Sequence, residues 1–388
     1  MIDRATTRVF FIGLDPLRFI AATLVLVMHA YGFFIRNISD GISYHAIYGK
    51  GHTAVSFFFT LSGFLISYLL LNELQKKGSV NIRVFYLKRV FRIWPLYFLI
   101  VFFGLAFYNY FLPLATGNYE YKSDIGVGFL FYLFFLASYY NVFWNVGAIL
   151  NVTWSIAVEE QFYLFWAPLF HRFKKRIGTV CFFTFALFWA IQLYNYHFIT
   201  EAHWKYFIAM LQFNNMAVGG LFALYLHKNK DTPIKLASAW WLKRSTQFVV
   251  LLALFAYLFL LDFDHYNPYA NLVLNLLYAY VILCCSLNMQ SVFSLNNSFF
   301  NMGGSISYGI YMYHSIIIYF IGYLVTKTTI KNYLISYPEL SWTLFLVLVF
   351  IVTMITSYLS FHYVEKRIVN LGQKLTIKFT KSVQYSTR

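Results

Sequence analysis

Charge is what this sequence has least of. Only 11% of its 388 residues are Asp, Glu, Lys or Arg, where a soluble domain carries about a quarter. Acids are the scarcer sign, 14 against 30 Lys and Arg, for a formal net charge of +16. The three cysteines, Cys181, Cys284 and Cys285, all fall inside apolar runs; their spacing matches no disulfide framework and no metal site. There is no internal repeat, no low-complexity linker and no hydrophilic stretch long enough for a second domain. A G-x-S-x-G nucleophile elbow is missing as well, which argues against Ser62 in FFFTLSGFLIS as a hydrolase nucleophile.

What is present is apolar. Hydrophobic residues make up 60% of the chain and the mean hydropathy is +0.61. Runs near the length of a membrane span recur at 14–34, 52–72, 94–113, 126–141, 155–170, 177–195, 206–227, 245–262, 269–287, 303–325 and 341–363. The cations cluster in short connections at 76–92, 171–176 and 227–244 and in the tail from Lys366. That is the distribution of the positive-inside rule rather than of a nucleic-acid surface, so no nucleic-acid partner is expected. All four basic regions share one side only if one early segment does not cross. The shortest early segment, 126–141, with Gly126 and Gly128 at its start, is that segment.

The expected fold is therefore all-α: a polytopic membrane bundle of about ten transmembrane helices, with 126–141 re-entrant or interfacial. Residues 1–13 form a cytoplasmic tail, 14–365 the membrane domain and 366–388 a basic cytoplasmic tail. The first apolar run has no small-residue cleavage site after it and reads as a retained span.

Polar groups inside such spans are functional candidates by default. In LDPLRFIAATLVLVMHA, Arg18 and His29 are eleven residues apart, which on a helix places them on one face, about 16 Å apart. Asp15 and Pro16 suit a helix start. Arg89 and Arg92 share a face at the cytoplasmic entry of the third span, where guanidinium forks suit a polyphosphate; Pro95 is expected in that span's first turns. In NVTWSIAVEEQFYLFW, Ser155 and Glu159 lie one turn apart, with Glu160 beside them and Tyr163 a turn further on. One acid is placed to orient a histidine, the other to face water. His314 in SYGIYMYHSII falls near mid-membrane, and Gly63 leaves room for a close helix or a slender ligand.

Taken in order, these stretches resemble the acyltransferase-3 family of integral membrane proteins. The matching residues are Leu14, Asp15, Leu17, Arg18 and His29; then Val55, Phe57, Phe58, Leu61, Ser62, Gly63 and Phe64. Arg89, Arg92, Ile93 and Pro95 follow, then Trp154, Ser155, Glu159, Phe162 and Tyr163, and last Ser307, Tyr308, Tyr311 and His314. Ala54, Ser56, Ile156 and Arg367 depart from the family's usual residues, and the Ser56 change bears on acceptor choice.

The resemblance implies a transferase that moves an acyl group, usually acetyl, from cytoplasmic acyl-CoA to a saccharide or lipid-linked glycan in a bacterial inner membrane, with no metal. Arg18, Lys88, Arg89 and Arg92 are the expected acetyl-CoA phosphate contacts. Roughly 15–20 Å of pantetheine, comparable to the Arg18–His29 separation from helix rise, is expected to thread past Gly63 between the first, second and ninth spans. His29 is the expected general base, with Glu159 and His314 as further catalytic groups and an acyl-histidine as the alternative course. Trp154, Ser155, Glu160 and Tyr163 are the expected acceptor contacts. The competing reading is a transporter or export partner for a lipid-linked glycan, which needs no arginine–histidine stripe.

Overall fold

A computed structural model describes residues 11–43, 48, 50–229, 239–260, 267–287, 291–327 and 335–386. Most of the expected N-terminal tail (1–10) and parts of the 227–244 and 262–268 connections lie outside the described residues. Every regular element among the described residues is helical.

Eight helical stretches are long and apolar enough to cross a bilayer: Asp15–Asn37, Gly51–Lys77, Ile82–Thr116, Ile177–Phe198, Ala202–Asn229, Pro268–Ser286, Ser307–Lys327 and Pro338–Ile377. The protein is an integral membrane protein. Two further expected spans fall short of that measure: one helix, Thr153–Arg172, carries Glu159 and Glu160, and Arg244–Phe259 has only 16 residues. The 126–141 segment is not one helix. It breaks into Ile125–Leu133 and Ala137–Phe143, with Phe135 between them at a φ of 55°, a left-handed conformation that a bulky side chain enters only where packing demands it. Phe135 is buried against Trp94 and Tyr97, which supplies that packing.

The helices that frame the site are α1 (Asp15–Asn37), α2 (Gly51–Lys77), α3 (Ile82–Ala106), α4 (Leu112–Thr116), α5 (Ile125–Leu133), α6 (Ala137–Phe143), α7 (Gly147–Asn151) and α8 (Thr153–Arg172). They continue as α9 (Ile177–Phe198), α10 (Ala202–Met210), α11 (Phe213–Asn229), α12 (Arg244–Phe259), α13 (Pro268–Ser286), α14 (Ser298–Ser305), α15 (Ser307–Lys327), α16 (Pro338–Ser360) and α17 (Lys366–Ser386).

Two sequence expectations about helix ends change. Asp15 does not cap α1: Leu14 holds the cap position without a side-chain bond, and the Asp15 carboxylate pairs with Arg18 instead. The basic stretch before the third span is itself helical, capped by the Asn81 side chain on the Val84 N–H. Pro95 is therefore interior to α3, where it removes the N–H that the Phe91 carbonyl would otherwise accept from.

Helix α2 is the central post, with 78% of its most apolar stretch buried, against 22% for α9 and for α16 at the periphery. It owes this position to two glycines. A Cβ on Gly63 would lie 1.9 Å from the Met216 carbonyl of α11, and one on Gly219 would lie 2.0 Å from the Thr60 carbonyl of α2. The two backbones touch, as small residues permit in a membrane interior. Helix α1 stands between two apolar cores: Ala21 and Val25 join the one around α2, α3 and α8, while Ala22, Leu26, Ala30 and Phe34 join α15 and α16. With both flanks buried, α1 has one remaining stripe, and Arg18 and His29 lie on it.

Candidate active site

His29 meets His314. Their rings lie 5.1 Å apart, one from α1 and the other from α15. His314 is fully buried, and its Nδ1 is 3.2 Å from the Ile310 carbonyl one turn back. A carbonyl only accepts, so Nδ1 carries the proton and donates, leaving Nε2 as the acceptor. The Ser315 hydroxyl, 3.3 Å from Nε2, donates to it. His29 has no such brace: it makes no hydrogen bond to a described residue. It borders a cavity of about 30 Å³ shared with Phe33, Arg36, Ser315 and Tyr319, room for a water or two.

The arginines gather with the carboxylates. Arg18 Nη1 is 2.7 Å from Asp15 Oδ1. The Arg89 guanidinium lies over the rings of Phe85 (5.9 Å) and Tyr163 (5.6 Å), a cation–π arrangement favoured away from water. Glu159 accepts from the Ser62 hydroxyl at 2.7 Å and from the Tyr163 hydroxyl at 3.1 Å. Glu160 accepts from the Trp94 indole N–H at 3.1 Å. Arg92 is exposed and acts electrostatically on Arg18, Glu159 and Glu365. Lys88 is exposed on the same helix, α3. Two atoms here are buried without a hydrogen-bond partner among the described residues: Arg89 Nε and Glu160 Oε1. Asn72, Ser138 and Trp189 carry buried atoms of the same kind elsewhere in the protein, and each such atom calls for a water, an ion or a ligand.

Helix α8 links the two groups. One turn before Glu159, Ser155 shares a 2.7 Å hydrogen bond with the Tyr311 hydroxyl, and the Tyr311 ring lies 5.9 Å from that of His314. The residues expected to contact the acceptor are thus divided. Ser155 belongs to the histidine layer, Glu160 and Tyr163 belong to the arginine layer, and Trp154 packs on Phe59. Neither carboxylate hydrogen-bonds a histidine. The expectation that Glu159 or Glu160 orients His29 is replaced by one in which they hold Ser62, Tyr163 and Trp94. Gly63 offers no passage for a pantetheine arm, because the Met216 backbone fills that space. Ser56 donates to Gln212 at 2.8 Å, within a buried amide cluster that includes Asn215 and Asn275.

Three residues escaped the sequence reading. Arg36 lies eighteen residues after Arg18, a whole number of helical turns, so the period that paired Arg18 with His29 would have found it. Ser315 adjoins His314 and carried no signal of its own. Glu365 sits in a π-helical turn, Phe361–Glu365, and accepts from Ser360 at 2.8 Å, which in turn accepts from Tyr313 at 3.0 Å. No group of three or more potential metal ligands occurs among the described residues.

With this geometry in view, the comparison with known families is decisive: the acyltransferase domain profile matches residues 11–362. The chain belongs to the acyltransferase-3 family. Among curated proteins it is similar to the peptidoglycan O-acetyltransferase OatA of Listeria monocytogenes, 30% identical over 142 residues, covering 34% of this chain and 22% of OatA. YrhL of Bacillus subtilis, to which the name of a peptidoglycan O-acetyltransferase is attached provisionally, is 26% identical over 377 residues, 93% of this chain and 55% of YrhL. An uncharacterized protein of Haemophilus influenzae is 30% identical over 185 residues, 43% of this chain and 73% of its own length. The chain thus spans only part of the two named acetyltransferases. No solved structure matches it. The matched region is the family's acyltransferase domain, built here on membrane-spanning helices.

Proposed function

We propose that the protein transfers an acetyl group from acetyl-CoA, made in the cytoplasm, to a hydroxyl of a saccharide or lipid-linked glycan reached from the other side of a bacterial inner membrane. The observation that carries this reading is the layout of α1. A cluster of cations with an orphaned Arg89 Nε stands at one end, and an unbraced imidazole beside a second, tautomer-locked imidazole stands further along. The glycan acceptor is supported by what the names of OatA and YrhL say of those proteins. Both termini and the basic connections face the cytoplasm in this reading. Residues 14–365 form the membrane domain, and the remaining segments form its cytoplasmic tails.

Arg89, Arg92, Arg18 and Lys88 hold the nucleotide phosphates of the donor. Phosphate oxygens accept from guanidinium forks in pairs, which anchors the donor without fixing its far end. Glu159, Tyr163 and Ser62 keep the wall beside Arg89 in place. The pantetheine arm runs along the α1 stripe rather than past Gly63 and brings the thioester to His29.

His29 then takes the proton of the acceptor hydroxyl as that oxygen bonds to the thioester carbonyl carbon. The tetrahedral intermediate collapses with cleavage of the carbon–sulfur bond, and the leaving thiolate takes the proton from the imidazolium. The products are the acetyl ester and CoA thiol, and His29 is neutral again. His314 steadies the charged interval: with Nδ1–H committed to Ile310, its Nε2 accepts from a protonated His29 once the Ser315 hydroxyl that donates to it at rest turns aside.

The test is transfer of labelled acetyl from acetyl-CoA by the full chain in proteoliposomes supplied with extracted envelope glycan. Label in the glycan with wild type, and transfer lower by about 10²-fold or more with His29→Ala, is the expected result. Glycan movement across the bilayer without any label transfer would instead establish the transporter reading.

A further inference from the structure

Arg36 has no role in the mechanism above, yet it completes the stripe. It lies seven residues beyond His29 on α1, about 10 Å further from Arg18 along the axis and on the same face. Its Nε donates to the Gly32 carbonyl at 2.7 Å, which steers the guanidinium back along the helix. It lines the same cavity as His29 and is close enough to act on it electrostatically. None of the ion pairs among the described residues involves Arg36. Glu120, the acid beside Tyr121 on this side, is engaged by the Asn145 amide at 3.1 Å and by the Tyr121 hydroxyl.

The wall around this cation is aromatic. Tyr319 lines the cavity, with Phe33 at 6.0 Å and Phe107 at 5.3 Å between ring centres. Tyr108 lies 6.4 Å from Tyr319 and 5.2 Å from Tyr121. Of these rings, Phe33 and Tyr319 line the cavity itself beside the guanidinium, with Tyr108 buried behind them; this differs from the interfacial aromatic belt of any membrane protein, because the same cavity holds the proposed base. The C–H faces of sugar rings stack on such rings, and a carboxylate or phosphate suits the free fork of the arginine.

We infer that Arg36 and the Phe33–Tyr319 wall form an acceptor subsite for a saccharide bearing an anionic group, one or two sugar rings from the hydroxyl presented to His29. This rests on the acyltransferase reading and deepens it by naming the acceptor's charge. The anion is either a carboxylate on the sugar or the diphosphate of a lipid-linked sugar; the chemistry at Arg36 is shared.

The test uses the full chain in lipid nanodiscs and measures binding of two probes, a glucuronate-containing tetrasaccharide and a polyprenyl-diphosphate sugar, each against its uncharged counterpart. At least one charged probe is expected to bind about tenfold more tightly than its counterpart, and which one does so identifies the source of the anion. Arg36→Gln is expected to erase that preference, Arg36→Lys to keep most of it, and neither to alter acetyl-CoA binding. A wild type with no preference for either charged probe, or a preference that survives Arg36→Gln, overturns the subsite. Loss of acetyl-CoA binding by the wild type would count against the donor reading alone and leave a measured anion preference standing.

Discussion

Around Arg89, two aromatic rings and two carboxylates surround a cation; around His29, there is one neighbouring imidazole and a cavity. The first region is almost saturated. Glu159 has both oxygens engaged, Glu160 has one, and the tyrosine and tryptophan that serve them pack into the main core. The second is sparse, with His314 braced from behind by Ile310 and Ser315 and His29 without a hydrogen bond to a described residue. The contrast has a physical reading. A group that must hold a multiply charged ligand gains from a rigid, preorganised wall, since every fixed neighbour removes freedom the ligand would otherwise have to freeze. A group that must take and return a proton needs an open coordination place at the moment of reaction.

The contrast can be broken at either end. The largest expected effect is His29→Ala, which should lower acyl transfer by about 10²–10⁴, the range of general acid–base catalysis, with acetyl-CoA affinity unchanged in a binding assay on the same membranes. Equal loss of binding would merge the two regions into one site. Next comes the Arg89→Ala and Arg92→Ala double variant. Charge-assisted bonds to the donor contribute about 1.5–3 kcal/mol each, so its acetyl-CoA dissociation constant should rise at least tenfold, measured by equilibrium dialysis. An unaltered constant would show that the cluster serves structure or topology instead.

A smaller effect is expected from Gly63→Ala. The new Cβ would meet the Met216 carbonyl, and overpacking of this kind costs about 1–3 kcal/mol. Thermal unfolding in detergent should move to lower temperature, while the acetyl-CoA affinity of the protein that remains folded stays as in wild type. A selective loss of acetyl-CoA binding with stability intact would restore Gly63 as a ligand passage. The smallest is Ser62→Ala, which leaves one Glu159 oxygen with one donor fewer at about 1 kcal/mol. Stability should fall slightly and turnover remain within a few-fold. A loss as large as that of His29→Ala would move Ser62 from the wall into the chemistry.

Much of this architecture was legible from residue order. Apolar runs of about 20 residues separated by basic connections read as membrane helices, because a helix is the one element that satisfies its backbone in lipid within a single run of that length. The eleven-residue spacing of Arg18 and His29 fixed their shared face for the same kind of reason: helical geometry leaves no choice. Helix ends were less legible. Asp15 looked like a cap and became an ion-pair partner, since Arg18 lies one turn ahead of it. Pro95 looked like a helix start, yet Asn81 caps the helix more than three turns earlier. Gly63 was ambiguous between ligand and helix, and only the position of Met216 separates the two.

The partners across helices were not legible at all. Sequence alone determined that this is an α-helical membrane protein and that its arginines and histidines ride on particular helix faces, because hydropathy and the 3.6-residue period are local properties. Tertiary structure decided that Glu159 serves Ser62 and Tyr163 rather than a histidine, that His29 meets His314, and that Ser155 reaches Tyr311. Those contacts join residues separated by 97, 156 and 285 positions (Ser62–Glu159, Ser155–Tyr311 and His29–His314). They depend on how the helices pack against one another, which is set by the summed fit of many side chains and by close crossings such as Gly63 on Met216, not by any pattern within one helix.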